Sequence, residues 1–418
     1  MTGENDLTVS RRDFVKASLT AAAFAATAKA IQPEQKEEEE EGEEKELKKE
    51  DLVPTRPLGK TGVKVSILNL GTTRKPSKRM LNAMYAAGIR YIDTAASYVN
   101  GQVEPLLAEW MAKAGNRKEF FIVTKDGGKT PEEWAGKVDD RLKALKTDYI
   151  DLFFIHGVGG GSRGGEPDTA QVNWPKDKEW KAAAGKLKKS GKVKFTGFST
   201  HTGFPVRADL LKNAAEGGWV DALMTAYDPL TVKENADFNK ALDACHKAGV
   251  GLISMKQMRG AKEAPKFLPD FEKMGLNTYT ATLHAVWTDE RIASICNDIP
   301  SIEILKENVA AAKKFKPLDK KQMAAVIGVL ERTGKRFCNA CDGSCRRAAG
   351  TKAALNDIVR YLSYYEMDGC REEARRLFAA LSPEERDWHL ADLAAAAHAC
   401  HSKLDFATLL ARAEEKLA

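Results

Sequence analysis

Eight short apolar runs, separated by amphipathic segments, recur between residues 56 and 316 and constrain this chain more than any other feature. The runs are VSILNLGT, RYIDTAA, EFFIVTKD, YIDLFFIH, KFTGFST, DALMTAYD, VGLISMKQM and RIASICND. Segments between them, such as VEPLLAEWMAKAG, are polar on one face and several end at Gly or Asn, as helices do. Apolar strands that alternate with helices indicate a parallel sheet covered by helices. Eight such units in roughly 250 residues predict a (β/α)8 TIM barrel over residues 55–316.

An open, doubly wound α/β sheet is the alternative architecture. That fold usually carries a G-x-G-x-x-G turn after its first strand, and the sequence contains no such turn there. Composition agrees with a large folded domain, because 43% of the residues are hydrophobic. The formal net charge of +6 is spread along the chain and gives no reason to expect nucleic acid as a partner.

Reactive side chains lie at the ends of three consecutive runs, where barrel enzymes place their chemistry. The second run ends near Asp93, with Tyr98 five residues later, the third ends at Lys125 and the fourth at His156. An ammonium group favours the phenolate form of a nearby tyrosine, and a carboxylate holds that ammonium in place. Such a tyrosine, with a histidine beside it, can donate a proton to a developing alkoxide. No side chain supplies hydride, so the pattern predicts a nicotinamide or flavin cofactor.

The same region resembles the aldo-keto reductase family. The segments that carry the resemblance are PLGKTGVKVSILNLGTTR, GIRYIDTAASYVNGQVEPLLAEWM, FIVTKD, KTDYIDLFFIH and GKVKFTGFST. The resemblance implies a catalytic tetrad in which Tyr98 is the general acid, Lys125 modulates its pKa, Asp93 pairs with Lys125, and His156 orients the substrate. It also implies an extended NADP or NAD molecule across the mouth of the barrel, with these residues near it: Gly71, Thr72, Thr73, Ser199, Met255, Lys256 and Asn308.

Residues 317–418 read as a C-terminal α-helical extension that contains a cysteine cluster. Cys338, Cys341 and Cys345 lie on one loop, a spacing that can hold zinc or an iron–sulfur cluster. The extension resembles the tail of exported aldo-keto reductases that carry an iron–sulfur-type segment, and this resemblance implies Cys400 as the fourth ligand. We expect a [4Fe-4S] cluster. The alternatives are zinc, a loop without metal and a disulfide-bonded loop. A histidine close to Cys400 in sequence, either His398 or His401, is an alternative ligand.

The first 54 residues are predicted to form an export signal followed by a linker. Residues 1–30 combine S-R-R-D-F-V-K with a mild apolar run and a small-x-small end, which resembles a twin-arginine export signal. Residues 31–54 are mostly charged, so they predict a disordered acidic linker. We therefore expect an exported, periplasmic protein that meets the membrane only transiently, during export.

The sequence supports two functions. The first is an NAD(P)H-dependent oxidoreductase that reduces a small carbonyl compound or oxidises an alcohol. The second is a barrel that serves as a binding or electron-transfer subunit, with a redox partner and without nicotinamide turnover. The loop that follows His156 is long and rich in glycine, and Trp174 on it could either flank a substrate or anchor the loop.

Overall fold

A computed structural model describes residues 52–114, 117–160, 168–257, 269–333, 338, 343–366, 371–400 and 402–418. Eight parallel strands close into a barrel, which confirms the predicted (β/α)8 fold. With the two strands of a hairpin, the strands are β1 (Thr55–Pro57), β2 (Lys64–Ser66), β3 (Leu68–Gly71), β4 (Tyr91–Asp93), β5 (Phe121–Asp126), β6 (Ile150–Ile155), β7 (Val193–Thr200), β8 (Ala222–Ala226), β9 (Gly251–Met255) and β10 (Ile292–Asp298). The order of the strands around the barrel is β10-β3-β4-β5-β6-β7-β8-β9.

The first apolar run, VSILNLGT, divides between two elements. Its beginning belongs to β2, which pairs antiparallel with β1, and its end forms the barrel strand β3. The turn of this hairpin packs against the start of β9: a Cβ on Gly59, whose φ is +52°, would lie 2.3 Å from the carbonyl oxygen of Gly249. Leu58 beside it is fully buried. The hairpin therefore lies against the end of the barrel where the strands begin.

Helices cover the outside of the barrel, and each buries one face. Asp177, for example, caps the helix Lys178–Lys189, whose buried side chains recur at the three- and four-residue spacing of a helix (Trp180, Ala183, Ala184 and Leu187). The α-helices up to residue 333 are Lys78–Ala86, Val103–Ala114, Pro131–Gly136, Val138–Leu145, Lys178–Lys189, Val206–Gly217, Pro229–Glu234, Ala236–Lys247, Pro269–Glu272, Thr278–Thr288, Ile302–Lys313 and Lys320–Thr333. Short 3-10 helices span Tyr98–Gly101, Arg117–Glu119 and Thr169–Lys176.

The C-terminal extension is helical, as predicted, and has an apolar core of its own. Its helices are Ser344–Ala348, Leu355–Glu366, Arg371–Ala379, Pro383–Arg386, Leu393–Ala399 and Phe406–Leu417. One buried cluster joins them and includes Leu355, Leu362, Phe406 and Leu410. The cores of the barrel contain no residue beyond Leu330 among their buried members. Residues 338–418, which we call the tail, thus have a separate core, whereas Leu318, Val326 and Leu330 of the predicted extension belong to the barrel core.

The predicted export signal, residues 1–30, lies outside the described residues, as does most of the predicted linker. The last linker residues differ from the expectation of disorder: Val53 is buried in the barrel core, and its N–H donates to the carbonyl of Ala87 over 3.0 Å. Across the described ranges, the helices are all too short or too polar to cross a membrane.

Candidate active site

The predicted tetrad meets at the mouth of the barrel. The Nζ of Lys125 donates to Oδ1 of Asp93 over 2.5 Å and to the backbone oxygen of Thr94 over 2.8 Å. The same nitrogen lies 3.3 Å from the Tyr98 hydroxyl. The ring of His156 is 5.9 Å from that of Tyr98, centre to centre, in an edge-to-face arrangement. One ammonium group therefore contacts both the carboxylate and the phenol.

Strand register explains why these residues meet. Asp93 is the last residue of β4 and Lys125 the fifth of the six residues of β5, and the two strands are neighbours in the barrel. Tyr98 follows β4 in a tight turn in which three successive residues have positive φ angles: Val99 (47°), Asn100 (54°) and Gly101 (80°). A β-branched residue rarely adopts this conformation, so the surrounding structure must hold it there.

Burial dominates the electrostatics of the tyrosine. It raises the pKa of Tyr98 to about 12, and the nearby Lys125 only partly opposes this shift. For Lys125 itself, burial lowers the pKa, but Asp93 and Tyr98 outweigh it and raise the pKa above its usual value. Lys125 lowers the pKa of Tyr98, as expected of that one interaction, but burial decides the net direction of the shift. At neutral pH the tyrosine carries its proton and the lysine its charge.

A second histidine lies close to the tetrad. His201, directly after β7, has a pKa well below its usual value because of burial and the neighbouring charges of Lys256 and His156. It is therefore neutral near pH 7. Lys256 is exposed, directly after β9, with φ of 60°. Neutral and cationic groups thus line the same side of the mouth.

The residues predicted to contact the cofactor fall into two sets. Gly71, Thr72, Ser199, Met255 and Asn308 are buried, whereas Thr73 and Lys256 are exposed. Thr72 fixes the end of β3, because its hydroxyl donates to the carbonyl of Asp93 over 2.8 Å. The hydroxyl of Ser199 accepts a hydrogen bond from the N–H of Gly157 over 3.1 Å.

Asn308 is the most informative of these side chains. It is fully buried in the helix Ile302–Lys313, yet neither its amide nitrogen nor its amide oxygen has a hydrogen-bond partner within the described parts of the chain. Leaving such groups unpaired costs about 1–3 kcal/mol each. A ligand that offers both a donor and an acceptor, as adenine does, fits this amide.

Comparison with known proteins shows the family to which this chain belongs. The model of the aldo/keto reductase family matches residues 65–276, half of the chain. This chain belongs to the aldo/keto reductase family. The aldo-keto reductase yakc [NADP(+)] of Schizosaccharomyces pombe is 24% identical over 70% of this chain and 92% of its own length. The uncharacterized oxidoreductase YrpG of Bacillus subtilis is 25% identical over 49% of this chain and 66% of its own length.

Solved structures support the fold. An aldo-keto reductase from Bacillus halodurans, in its holo form, superposes with a TM-score of 0.52 at 20% identity and covers 66% of this chain and 96% of its own. The thermostable aldo-keto reductase Tm1743 gives a TM-score of 0.51 at 22% identity over 66% of this chain and 99% of its own. Among curated relatives the matched segments are often shorter: an aryl-alcohol dehydrogenase of Pestalotiopsis microspora is matched over 26% of its length.

The loop tryptophan of this family member anchors the loop. Trp174 stacks on Trp180 at 4.4 Å between ring centres, on the outer helix Lys178–Lys189. Of its two possible roles, the structure favours packing. This choice could not be made from the sequence, because only the fold brings the two rings together.

The predicted metal ligands of the tail are described only in part. Cys338, Cys345 and Cys400 are all buried in the same apolar cluster, whereas Cys341 lies outside the described residues. Among the residues that are described, no three His, Cys, Asp or Glu side chains come together as a metal-binding group. The geometry therefore does not support the expected four-cysteine site. Of the alternative ligands, His398 is exposed and His401 is not described.

Proposed function

We propose that this chain reduces the carbonyl group of a small molecule, or oxidises the corresponding alcohol, with a nicotinamide cofactor. The observation that carries the proposal is the double contact of Lys125 with Asp93 and Tyr98. A phenol that keeps its proton at neutral pH, beside a fixed cation, suits transfer of that proton to a carbonyl oxygen as it becomes an alkoxide. In the opposite direction, Tyr98 first releases its proton to water, and the phenolate, stabilised by Lys125, accepts the alcohol proton.

Each member of the site has a defined part in that step. Tyr98 donates the proton, and the Lys125 cation stabilises the phenolate that is left behind. Asp93 holds Lys125 in place and keeps it charged. His156, whose ring is edge-on to that of Tyr98, would hydrogen-bond the substrate oxygen. Two residues would hold NADP or NAD: Asn308, whose amide has no hydrogen-bond partner among the described residues, and the buried Ser199. The bound cofactor would supply or accept hydride.

The experiment is a titration with NADPH, followed by fluorescence, together with assays on a panel of aldehydes and ketones. We expect binding, and NADPH oxidation that falls by about 10²- to 10⁴-fold in Tyr98→Phe, the usual contribution of a general acid. Tyr149→Phe is the matched control, because among the described residues its hydroxyl contacts Arg117, over 3.4 Å, away from the tetrad.

Absence of NADPH and NADH binding would overturn this proposal. In that case the chain would act as a binding or electron-transfer subunit. Equal activity of Tyr98→Phe and Tyr149→Phe would retain the oxidoreductase and remove Tyr98 as its acid. The natural substrate is a small carbonyl or alcohol compound, and the substrate panel narrows its class.

A cluster in the tail and export are proposed separately. Cys338, Cys345 and Cys400 share one buried apolar cluster, and the pKa of Arg360 is raised, despite the opposing effect of burial, by Tyr364, Asp357 and Cys338 nearby. A cation next to a thiol favours the thiolate that metals require. We propose that these cysteines and Cys341 hold a [4Fe-4S] cluster, with zinc as the alternative metal, and that the loaded protein is exported by the twin-arginine route.

Anaerobic absorption spectra with iron and zinc analysis test the cluster. Cys400→Ser should lose the metal. Cys370, which lies between Cys345 and Cys400 in sequence and is not among the predicted ligands, is the control, and Cys370→Ser should keep the metal. The reverse result would make Cys370 the fourth ligand, and a metal-free native protein would contradict the cluster. For export, cell fractionation should find the protein in the periplasm, and replacement of Arg11 and Arg12 by Lys should retain it in the cytoplasm. Unchanged export of that variant would contradict the twin-arginine assignment.

A further inference from the structure

Cys296 lies in the barrel beside the catalytic carboxylate. It belongs to the last strand, β10, and faces Asn69 across the pair with β3. Two residues further along β3, Gly71 pairs with Asp93 of β4. A Cβ built on Gly71 would come within 3.1 Å of the Cys296 sulfur. The sulfur therefore occupies the space above Gly71, which separates β10 from Asp93.

One of the two carboxylate oxygens of Asp93 has no hydrogen-bond donor among the described residues. Its Oδ1 accepts the short hydrogen bond from Lys125. Its Oδ2 is buried and, in the described ranges, has no hydrogen-bond partner that meets the usual geometry. Asp93 as a whole is 1% exposed, so bulk water cannot supply a hydrogen bond to Oδ2. A buried, charged oxygen without a donor is costly, and a neighbouring side chain is the available source of one.

The Cys296 thiol is that neighbour. Burial raises the pKa of the thiol well above the ordinary range, and the negative charge of the nearby Asp93 raises it further. The thiol thus keeps its proton and is a donor. Because the S–H hydrogen rotates about the Cβ–Sγ bond, it can point at Oδ2.

We propose that Cys296 donates a hydrogen bond to Oδ2 of Asp93 and so positions the carboxylate that holds Lys125 against Tyr98. Cys296 is a positioning residue and touches neither substrate nor reacting atoms. Gly71 makes this possible, since any side chain there would separate the sulfur from Asp93. The role deepens the proposed oxidoreductase function and rests on it, but the hydrogen bond itself exists independently of turnover.

Paired variants separate hydrogen bonding from packing. Cys296→Ser keeps a donor, whereas Cys296→Ala loses it, and the two variants remove nearly the same volume. We expect Cys296→Ala to lower kcat by about tenfold with little change in KM, as for loss of one charge-assisted hydrogen bond. We expect Cys296→Ser to stay within about twofold of the native enzyme. Equal losses, or a larger loss in Cys296→Ser, would show that packing alone matters and would overturn the proposal.

Infrared spectroscopy of the S–H stretch tests the hydrogen bond without activity. The difference between native protein and Cys296→Ser isolates the Cys296 band, and we expect it at lower frequency than a free thiol and shifted upward in Asp93→Asn. Cys245→Ser provides the reference band, because that buried thiol donates to the carbonyl of Leu211 over 3.1 Å. A Cys296 band at the frequency of a free thiol would overturn the proposal, even if NADPH turnover is normal. Absence of turnover with a shifted band would instead count against the proposed function alone.

Discussion

The barrel mouth and the tail both gather reactive residues that are distant in sequence, but they do so in different ways. At the mouth, hydrogen-bonded strands fix Asp93 and Lys125 in register, and the two side chains contact each other directly. In the tail, Cys338, Cys345 and Cys400 come together only as members of an apolar core. The mouth is therefore preorganised by its backbone, whereas the arrangement of the tail cysteines depends on side-chain packing and on the metal cluster that we propose.

Removal of the Lys125 cation is the strongest test of whether direct contacts preorganise the mouth, and it has the largest expected effect. Lys125→Met leaves the buried Asp93 without its partner, which costs about 3–5 kcal/mol of unfolding free energy for a buried pair. We also expect activity to fall by about 10²-fold or more, because proton transfer from Tyr98 loses its supporting charge. Denaturant unfolding and NADPH oxidation measure the two effects.

The matched control for that variant is Lys194→Met. Its ammonium pairs with Asp151 at 3.0 Å but is 49% exposed, so we expect a loss below about 1 kcal/mol and normal activity. Adding Asp93→Asn to Lys125→Met should restore part of the stability and none of the activity. If the double variant is no more stable than Lys125→Met, the buried ion pair does not dominate the energetics of the mouth.

Truncating one leucine in each core tests whether the two regions unfold separately. Leu252 in β9 and Leu410 in the tail are both fully buried, in different apolar clusters. Each change to Ala should cost about 2–5 kcal/mol. We expect Leu410→Ala to lower protection from hydrogen exchange only in the tail, and Leu252→Ala to lower it in the barrel. Loss of barrel protection in Leu410→Ala would mean that the two cores form one cooperative unit.

Sequence alone predicted the elements of the barrel better than the balance of forces in its site. The eight strands and the tetrad follow from local patterns, because each strand end is visible as an apolar run followed by a polar residue. The role that we propose for Cys296 could not be predicted from the sequence, since it depends on how β10 closes on β3 and on the space above Gly71. The net direction of the Tyr98 pKa shift could not be predicted from the sequence either, because it depends on how deeply the fold buries the phenol.

The pH dependence of stability sharpens the comparison further. The folded pKa of Tyr98, about 12, lies above the unfolded value of about 10. Its contribution is thus complete below pH 10 and is lost as the pH rises from about 10 to about 12, because only the unfolded tyrosine then releases its proton. The loss should be about 2 kcal/mol relative to Tyr98→Phe, measured by denaturant unfolding of both proteins. A constant difference between them over this range would show that the phenol is not buried enough to resist ionisation.

The smallest expected effect compares two buried asparagines. Asn308 in the barrel and Asn356 in the tail both have amide groups that lack partners within the described residues. Replacing either by Leu removes an unpaired polar group, so we expect each variant to gain about 1 kcal/mol of stability without ligand. Only Asn308→Leu should also weaken NADPH binding, by about tenfold. Asn213→Leu is the control, since its amide donates to Val172 over 2.8 Å and its loss should destabilise. Unchanged NADPH affinity in Asn308→Leu would mean that this amide, like that of Asn356, is not held open for the cofactor.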